Sequence, residues 1–499
     1  VDTNKTGGSE SQTAHATHFW PGLAVIFFAT QMAMLFYQAP AFLSDPGTGW
    51  HLRNGALILE QKQITRTDPF SWTASGTEWV TFEWLSDVLY AAAEKMGGLV
   101  GVSLLGLLLF AWLPFGLFRR LIRDGAAFPV VVFYVSFTLF FFQWHVLARP
   151  HAFTYSLMVV LLFWGQRTMA DKPWRTAMLF AVWANLHGGF LAGLAWWGAG
   201  ILGDIFDGVD RKSVGRSLGA GALAWGATLL NPWGWHLHLK IAEVLFQMKS
   251  LRLWEEFAPP SFSSFNGPTL ALVLLVLAIG GSRFYRKRSP WSWNETLIVA
   301  VFFFMACRSQ RHVFLLLLVA AQPVARDLTT CWKEWMPAAL QSWGERWRER
   351  EFEAAGQGWW AMGVALILAF AAFRAPALGT LRIGEKNLSA GAVDFLNQAG
   401  ARYSRTLTTT RNGGTLIYYR YPARKVSFDD RSDFYGDRIN FEQFVLQYAQ
   451  AGWREILRRG DYDAAVLAPG DPLAIELGRE NNWHESYRDR VTVIYEVQK

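Results

Sequence analysis

The chain has 499 residues, 52% of them hydrophobic and only 17% charged, with 26 Trp and 38 Phe. A soluble protein of this length carries about a quarter charged residues, so the balance excludes a wholly soluble globular protein and points to a membrane core with a polar appendage. The net charge of +7 does not signal a nucleic-acid surface, because the Lys and Arg residues cluster in short loops between apolar runs, where they act as topology signals.

Residues 1–18 are polar and lack the basic region and small-residue cleavage site of a secretory signal, so the first apolar run reads as a retained helix. Apolar runs close to the roughly 20 residues that span a bilayer fall at 19–43, 98–118, 127–147, 152–168, 176–190, 190–207, 214–231, 268–282, 291–307, 311–326 and 358–378. They predict about eleven spans within a membrane domain over 19–378. With the N-terminus inside, the inside loops gather Arg119, Arg120 and Arg123; Arg167, Lys172 and Arg175; Arg211, Lys212 and Arg216; Arg283, Arg286, Lys287 and Arg288; and the stretch from Arg326 to Arg350. That is the positive-inside distribution, and an odd number of spans puts the C-terminus outside. The segment 327–357, with Trp332, Trp335, Trp343 and Trp347 among charged residues, reads as an amphipathic helix on the inner membrane face. Cys307 and Cys331 fall on opposite sides and should not pair, and no zinc spacing exists.

Residues 379–499 have the composition of a soluble protein. Strand-like runs at 403–409, 414–421, 424–428, 463–468 and 491–497, with helical patterns at 389–398, 440–458 and 472–480, predict a small α/β extracytoplasmic domain. Gly413-Gly414 reads as a turn. The acidic run Asp429, Asp430, Asp433 and Asp437 lacks the spacing of an EF-hand loop and reads as a solvated loop paired with Arg431 and Arg438.

The first outside loop, 44–83, is the most informative stretch. Asp45 stands at the end of the first span, where Asp-Pro-Gly breaks the helix. Trp50, Leu52, Ala56, Leu57 and Leu59 then give one apolar face, with His51, Arg53, Asn54 and Glu60 on or near the polar one, so a helix lying flat on the outer interface is expected. Asp68, Glu78 and Glu83 follow. A carboxylate at a membrane boundary beside His and Arg can take a proton from a substrate hydroxyl; the plainer alternative is that Asp45 caps the next turn.

Other outside ends carry Trp144-His145 with Arg149-Pro150-His151, Asn185-Leu186-His187, Trp235-His236-Leu237-His238, and Arg308-Ser309-Gln310-Arg311-His312. Taken singly, Arg149 and Arg311 read equally as snorkelling side chains and His187 as a helix cap. Taken together, polar residues at one depth of apolar segments indicate a site, and cations gathered there suit a phosphate or diphosphate.

This pattern resembles the GT-C class of integral membrane glycosyltransferases, and looks particularly like uncharacterised bacterial members with loops of the form D-P-x-x-x-W-H-x-x-x-G, D-P-F-S and E-W-L. Here these are Asp45-Pro46, Trp50-His51 and Gly55, Asp68-Pro69-Phe70-Ser71 and Glu83-Trp84-Leu85, joined in the tail by Gly413-Gly414 and Asp429-Asp430-Arg431-Ser432-Asp433. The resemblance covers the topology of the whole chain, with its motifs concentrated in residues 41–90. It implies a sugar donor linked to a polyprenyl phosphate or diphosphate, a lipid, glycan or protein acceptor, and a place in the bacterial plasma membrane. Two features depart from the class. Position 47 is Gly, so Asp45 lacks the second acid many members carry two residues away, and the Trp-Trp-Asp motif of oligosaccharyltransferases is absent. A lone acid binds a divalent cation poorly, which leaves dependence on Mg²⁺ or Mn²⁺ open.

The resemblance implies inverting transfer on the outer face, with Asp45 as general base and Arg149, His151, Arg308, Arg311 and His312 neutralising the leaving phosphate; His51, Arg53, Asp68, Glu83 and His187 complete the expected substrate-binding set. Two alternatives stay open: a transporter or flippase of lipid-linked saccharides, disfavoured by the lack of an internal repeat or midplane polar residues, and a non-catalytic GT-C-like subunit of a membrane complex.

Overall fold

The computed structural model of the chain describes residues 22–498 except 262, 264–265, 286–290, 355–362 and 364–380. Its N-terminal part is a helical bundle: α1 (Leu23–Tyr37), α2 (Ala39–Phe42), α3 (Thr48–Gln61), α4 (Trp84–Arg123), α5 (Phe128–Phe142), α6 (His151–Trp164), α7 (Gln166–Ala170), α8 (Pro173–Leu186), α9 (Phe190–Phe206), α10 (Arg211–Ala227), α11 (His236–Phe246), α12 (Gly267–Tyr285), α13 (Trp293–Arg308), α14 (Val313–Trp335) and α15 (Ala338–Glu353). Ten of the eleven expected apolar segments coincide with one of these helices, and the eleventh, 358–378, lies outside the described residues.

The lengths correct the expected count. Among the described residues two helices, Trp84–Arg123 and Gln310–Trp335, are long and apolar enough to cross a bilayer, while Leu23–Met34, Phe128–Phe142, His151–Trp164, Phe190–Phe206 and Gly267–Ser282 are apolar but shorter. Local chemistry sets the shorter lengths. Helix α6 stops at Gly165, whose φ of 76° is left-handed, and α8 begins at Pro173 and ends at His187 in extended backbone. Helix α4 is long for the opposite reason. Its 40 residues run through Gly97 and Gly98, where the backbone leaves helical geometry. At 1.5 Å per residue an unbroken helix would be about 60 Å long, roughly twice the hydrocarbon core, so the glycine break divides a first-loop helix from an apolar one.

The helices share a polarity. At one end Arg119 Nη1 donates to Glu351 O (2.7 Å), Arg120 and Arg123 donate to the carbonyls of Leu162 and Phe163, and Arg326 pairs with Glu295 (2.6 Å). These contacts gather the ends of α4, α6 and α14 and the start of α13. The opposite ends of α4, α6 and α14 carry Glu83, Arg149 and Arg311, and Asp45, between α2 and α3, joins them there.

The C-terminal part holds α16 (Ala390–Gln398), α17 (Gly413–Arg420), α18 (Ser432–Gln447), α19 (Trp453–Gly460) and α20 (Pro472–Leu477) around strands β1 (Thr406–Leu407), β2 (Ala464–Leu467), β3 (Trp483–Arg488) and β4 (Val493–Val497). The sheet order is β1-β2-β4-β3, with β1 parallel to β2 and the other pairs antiparallel. The α/β expectation holds, with three local differences. The run 414–421 is helix α17, not strand. Cβ atoms at Gly413 and Gly414 would collide with the carbonyls of Phe428 and Pro46, so the glycine pair lets a helix start dock flush against both, where a turn was expected. The run 424–428 forms a single bridge, Val426 with Ser71. Strand β3, half exposed and without apolar alternation, carried no strand signal.

The first loop is part of this domain's core. Trp50, Phe70, Ala74 and Trp79 share one cluster with Leu416, Ile417, Phe428, Phe434 and Val466, and Val426 exchanges backbone hydrogen bonds with Phe70 and Trp72 (3.0 and 2.9 Å). Helix α3, expected to lie flat on the outer interface, is enclosed by protein on two sides. It is wedged between α4 and α17: Cβ atoms at Gly49 and Gly55 would meet Gly414 O and Asp87 O, and its polar residues His51 and Asn54 are buried.

Arg431 locks the loop to the domain. Its Nη1 meets Asp68 Oδ1 (2.8 Å), its Nη2 and Nε meet Asp429 (2.7 and 2.9 Å), and the rings of Trp79, Phe434 and Phe70 lie 4.5–5.3 Å from its guanidinium carbon. Asp429, expected in a solvated loop, is buried for this reason, while Asp437 and Arg438 of the same run are exposed, and Asp68, expected to bind substrate, is held in the cage. Arg431→Met leaves two buried carboxylates without a cation, a class of change that costs about 3–5 kcal/mol. Its expected outcome is a lower unfolding midpoint and proteolytic cleavage within 62–80 under conditions where the wild type resists.

Candidate functional site

Asp45 follows α2 and caps the turn into α3: its Oδ1 accepts Gly47 N–H (2.8 Å). Arg149 is brought to it by backbone contacts, Ala148 N–H to Phe42 O (3.1 Å), Thr48 Oγ1 to Ala148 O (3.1 Å) and Tyr90 OH to Arg149 O (3.1 Å). The guanidinium is then shared by three carboxylates. Nε donates to Asp45 Oδ1 (2.6 Å), Nη1 to Glu256 Oε2 (2.8 Å) and Nη2 to Asp430 Oδ2 (2.8 Å). Asp430 also accepts Trp50 Nε1–H (2.9 Å). Gly47 is needed for this convergence, since a Cβ there would lie 2.7 Å from Asp430 Oδ2.

Glu256 bridges two arginines. Its other oxygen lies 3.5 Å from Arg311 Nη1, and its side chain is 46% exposed, against 2% for Asp45. Ser309 Oγ donates to Glu256 O (3.1 Å) and Gln310 N–H to Ala258 O (3.0 Å), which seat the Glu256 loop on the turn that carries Arg311. The loop brings more negative charge to Arg149 than one guanidinium balances. Burial, then Asp45, Asp429 and Glu256, push the Asp430 carboxyl up to about 8 despite Arg149. Burial also raises Glu256, but Arg149 and Arg311 more than offset it and hold that carboxyl below its usual range.

A second group adjoins on the α4 side. Glu83, at the N-cap of α4, has Oε1 3.3 Å from His187 Nε2 and Oε2 3.8 Å from His51 Nε2. His51 Nδ1 lies 2.6 Å from Asp87 Oδ1, and Asn54 Nδ2 donates to Asp87 Oδ2 (2.6 Å). Burial, then Asp87 and Asp433, push the Glu83 carboxyl well above its usual range.

The expected residues therefore divide. Asp45, Arg149 and Arg311 come together, as do His51, Glu83 and His187. Arg53 instead donates to Tyr418 O (2.8 Å) and fastens α3 to α17. His151 donates from Nε2 to His145 O (2.8 Å), and His312 from Nδ1 to Met305 O (3.2 Å); both are occupied by backbone. Arg308 is exposed at the end of α13. Glu256 and Asp87 escaped the reading from sequence, and Asp430 was read there only as part of a solvated loop. The one signal for Glu256 was an acidic pair, Glu255-Glu256, set between Trp254 and Phe257. No group of three or more His, Cys, Asp or Glu side chains able to hold a metal ion is found among the described residues; the carboxylates here converge on a guanidinium.

No protein-family model and no curated protein sequence matches the chain. Solved structures match its fold. The archaeal oligosaccharyltransferase AglB from Archaeoglobus fulgidus, in complex with an inhibitory peptide and a dolichol-phosphate, is similar with a TM-score of 0.51 and 11% identity, over 89% of this chain and 69% of its own. The apo form of the Archaeoglobus fulgidus oligosaccharyltransferase gives 0.51 and 13%, over 92% and 70%. ArnT from Cupriavidus metallidurans, bound to undecaprenyl phosphate, gives 0.50 and 14%, over 94% of this chain and 97% of its own. The chain thus shares its fold, a helical bundle followed by an α/β part, with these structures. The likeness to ArnT spans nearly the whole of both chains.

The Asp430 carboxyl sets a pH dependence. An unfolded aspartate titrates near roughly 4. A folded value near 8 means the native state binds the extra proton between these limits, so this contribution to stability is full below about pH 4 and is lost as pH rises through about 8. Asp430→Asn is expected to flatten that decline, measured as unfolding midpoints of detergent-solubilised protein across the window.

Proposed function

We propose that the chain is a membrane glycosyltransferase that moves a sugar from a polyprenyl-phosphate or polyprenyl-diphosphate donor to a lipid, glycan or protein acceptor at the outer face of a bacterial plasma membrane. The observation that carries this reading is Glu256, a half-exposed carboxylate bridging Arg149 and Arg311. A planar anion held between two guanidinium groups marks the place where a phosphate finds the same charge-assisted donors. The GT-C-like fold supports it, and so does the polarity of the bundle, with the Lys- and Arg-rich ends opposite the site. In this reading the shorter apolar helices complete a multi-pass bundle, α15 lies along the inner face, and the C-terminal domain stands outside.

Asp45, the general base expected from the sequence, has Oδ1 committed to Arg149 and Gly47 and is almost fully enclosed. We assign it the task of aiming Arg149 at the leaving phosphate. Because carboxylates fill the Arg149 donors, a second reading, a non-catalytic GT-C-like subunit of a membrane complex, has that one observation in its favour. Loss of sugar from a polyprenyl-phosphate-linked hexose incubated with the protein in nanodiscs separates the two; binding without loss selects the subunit.

Hydrogen bonds to charged groups contribute about 1.5–3 kcal/mol, so Arg149→Ala is expected to weaken undecaprenyl phosphate binding by about 10- to 100-fold, and Arg311→Ala to weaken it in the same direction. Glu256→Gln, which removes the competing charge, is expected to tighten it. Titration of the lipid phosphate into nanodisc-held protein checks all three, and unchanged affinity in Arg149→Ala would remove the anion site from the reading.

A further inference from the structure

The reaction proposed above needs a group to take the acceptor's proton, and Glu83, set between two histidines whose other ring nitrogens are held by hydrogen bonds, has the form of one. His187 Nδ1 lies 2.9 Å from Gly189 N–H, which can only donate, and 2.8 Å from Thr154 Oγ1, whose oxygen accepts Trp183 Nε1–H (2.9 Å). His187 Nδ1 is therefore an acceptor, and the neutral ring carries its hydrogen on Nε2, facing Glu83 Oε1. His51 is the mirror case. Its Nδ1–H is held by Asp87, whose second oxygen is held by Asn54, so the neutral ring has a bare Nε2 facing Glu83 Oε2. Glu83 thus has an N–H 3.3 Å from one oxygen and a bare ring nitrogen 3.8 Å from the other, a separation that a small side-chain shift closes.

The arrangement is braced from outside the site. Trp84 Nε1 donates to Asn185 Oδ1 (2.8 Å) and Ser86 Oγ to Leu186 O (2.5 Å), tying the start of α4 to the end of α8 and thereby Glu83 to His187. The Glu83 side chain is 17% exposed, against 2% for Asp45. The other charged groups acting on Glu83 are Asp87, Asp433, Arg149 and Arg311, so it shares an electrostatic neighbourhood with the two arginines of the anion site. Tyr90, from α4, feels both Glu83 and Asp45.

We propose that Glu83 takes the proton of the acceptor hydroxyl and passes it to His51 Nε2, with Asp87 holding the imidazolium and His187 fixing the Glu83 carboxylate; this rests on the transferase reading. The acceptor O–H proton goes to the Glu83 carboxylate as the oxygen forms a bond to the anomeric carbon. The bond from that carbon to the phosphate oxygen breaks, its electron pair stays on the phosphate, and the polyprenyl phosphate leaves toward Arg149 and Arg311. Glu83 is the catalytic residue of this step, His51 is the onward proton acceptor, and Asp87 and His187 are positioning residues.

The sign of the pH dependence follows. Glu83 must be ionised to act, and burial with Asp87 and Asp433 holds it protonated to higher pH than an ordinary carboxyl. The rate should rise with pH along a limb displaced toward neutrality. The test is release of free sugar into water from a radiolabelled polyprenyl-phosphate-linked glucose by the full chain in nanodiscs, with undecaprenyl phosphate binding measured in parallel. Glu83→Gln is expected to lower release about 10²- to 10⁴-fold and to flatten the acid limb while still binding the lipid phosphate. His51→Gln is expected to shift the limb, which a merely structural role would not do. Asp45→Asn is expected to lower the rate and keep the limb. If Glu83→Gln does not fold, Glu83→Asp, which keeps the charge with a shorter reach, should lower the rate and retain a limb. A wild-type rate and limb in the Glu83 variants, or loss of the limb in Asp45→Asn, overturns the proposal and returns the proton to Asp45. Wild-type protein that binds the lipid phosphate but releases no sugar overturns the transferase reading and this proposal with it.

Discussion

A guanidinium sealed among aromatic rings organises the functional end of this molecule. Arg431 is buried with Asp68 and Asp429, one carboxylate from the first loop and one from the C-terminal domain. Burying an arginine is unfavourable unless its donors are satisfied, and here Asp68, Asp429 and the phenol of Tyr435 surround it. The arrangement acts as a register device, because only one docking of loop on domain closes the cage. Its position in the chain then matters for the site. Asp429 and Arg431 turn into the cage, and the residue between them, Asp430, is delivered to Arg149.

The same docking explains why a polar helix lies in the middle of the protein. Helix α3 carries His51, Arg53 and Asn54, and glycines at 49 and 55 allow α17 and α4 to approach it at backbone distance. Close approach excludes water from the first turns of α3, and its polar side chains there turn to protein partners. Arg53 finds the Tyr418 carbonyl, Asn54 and His51 find Asp87, and Trp50 finds Asp430. The site is therefore assembled from partners that α3 requires for its own burial, which ties the chemistry to the fold.

Much of the helical bundle could be read from hydropathy, since apolar runs ending in Gly, Pro or charge give both the segments and the end at which each polar residue stands. The read failed where a residue's role depends on what the distant chain supplies. Asp68 and Glu83 look alike in the loop, yet Arg431 claims one and two histidines the other. His151 and His312 stand at the right depth, but each turns to a carbonyl of the segment just before it. Glu256 and Asp430 lie more than 100 residues from Arg149 in sequence, and no local periodicity reports such a meeting. The α17 segment was read as strand because Leu416, Ile417, Tyr418 and Tyr419 favour strands; the glycine pair before them decides the matter through a backbone contact with Pro46 that is invisible along the chain.

Two poles of opposite chemistry hang from the ends of one short stretch of chain. Asp45, just before α3, holds Arg149, and Glu83, just before α4, stands against two histidines. Tyr90 binds the Arg149 carbonyl from α4, and Thr48 binds the Ala148 carbonyl from α3, so the two helices that hold the proton-accepting pole also hold the backbone on which the anion pole is mounted. Packing of α3 on α4 at Gly55 and Asp87 therefore sets the separation of the poles. Separation is what the proposed inverting transfer would have to control, because in-line attack on the anomeric carbon places base and leaving group on opposite faces of the sugar.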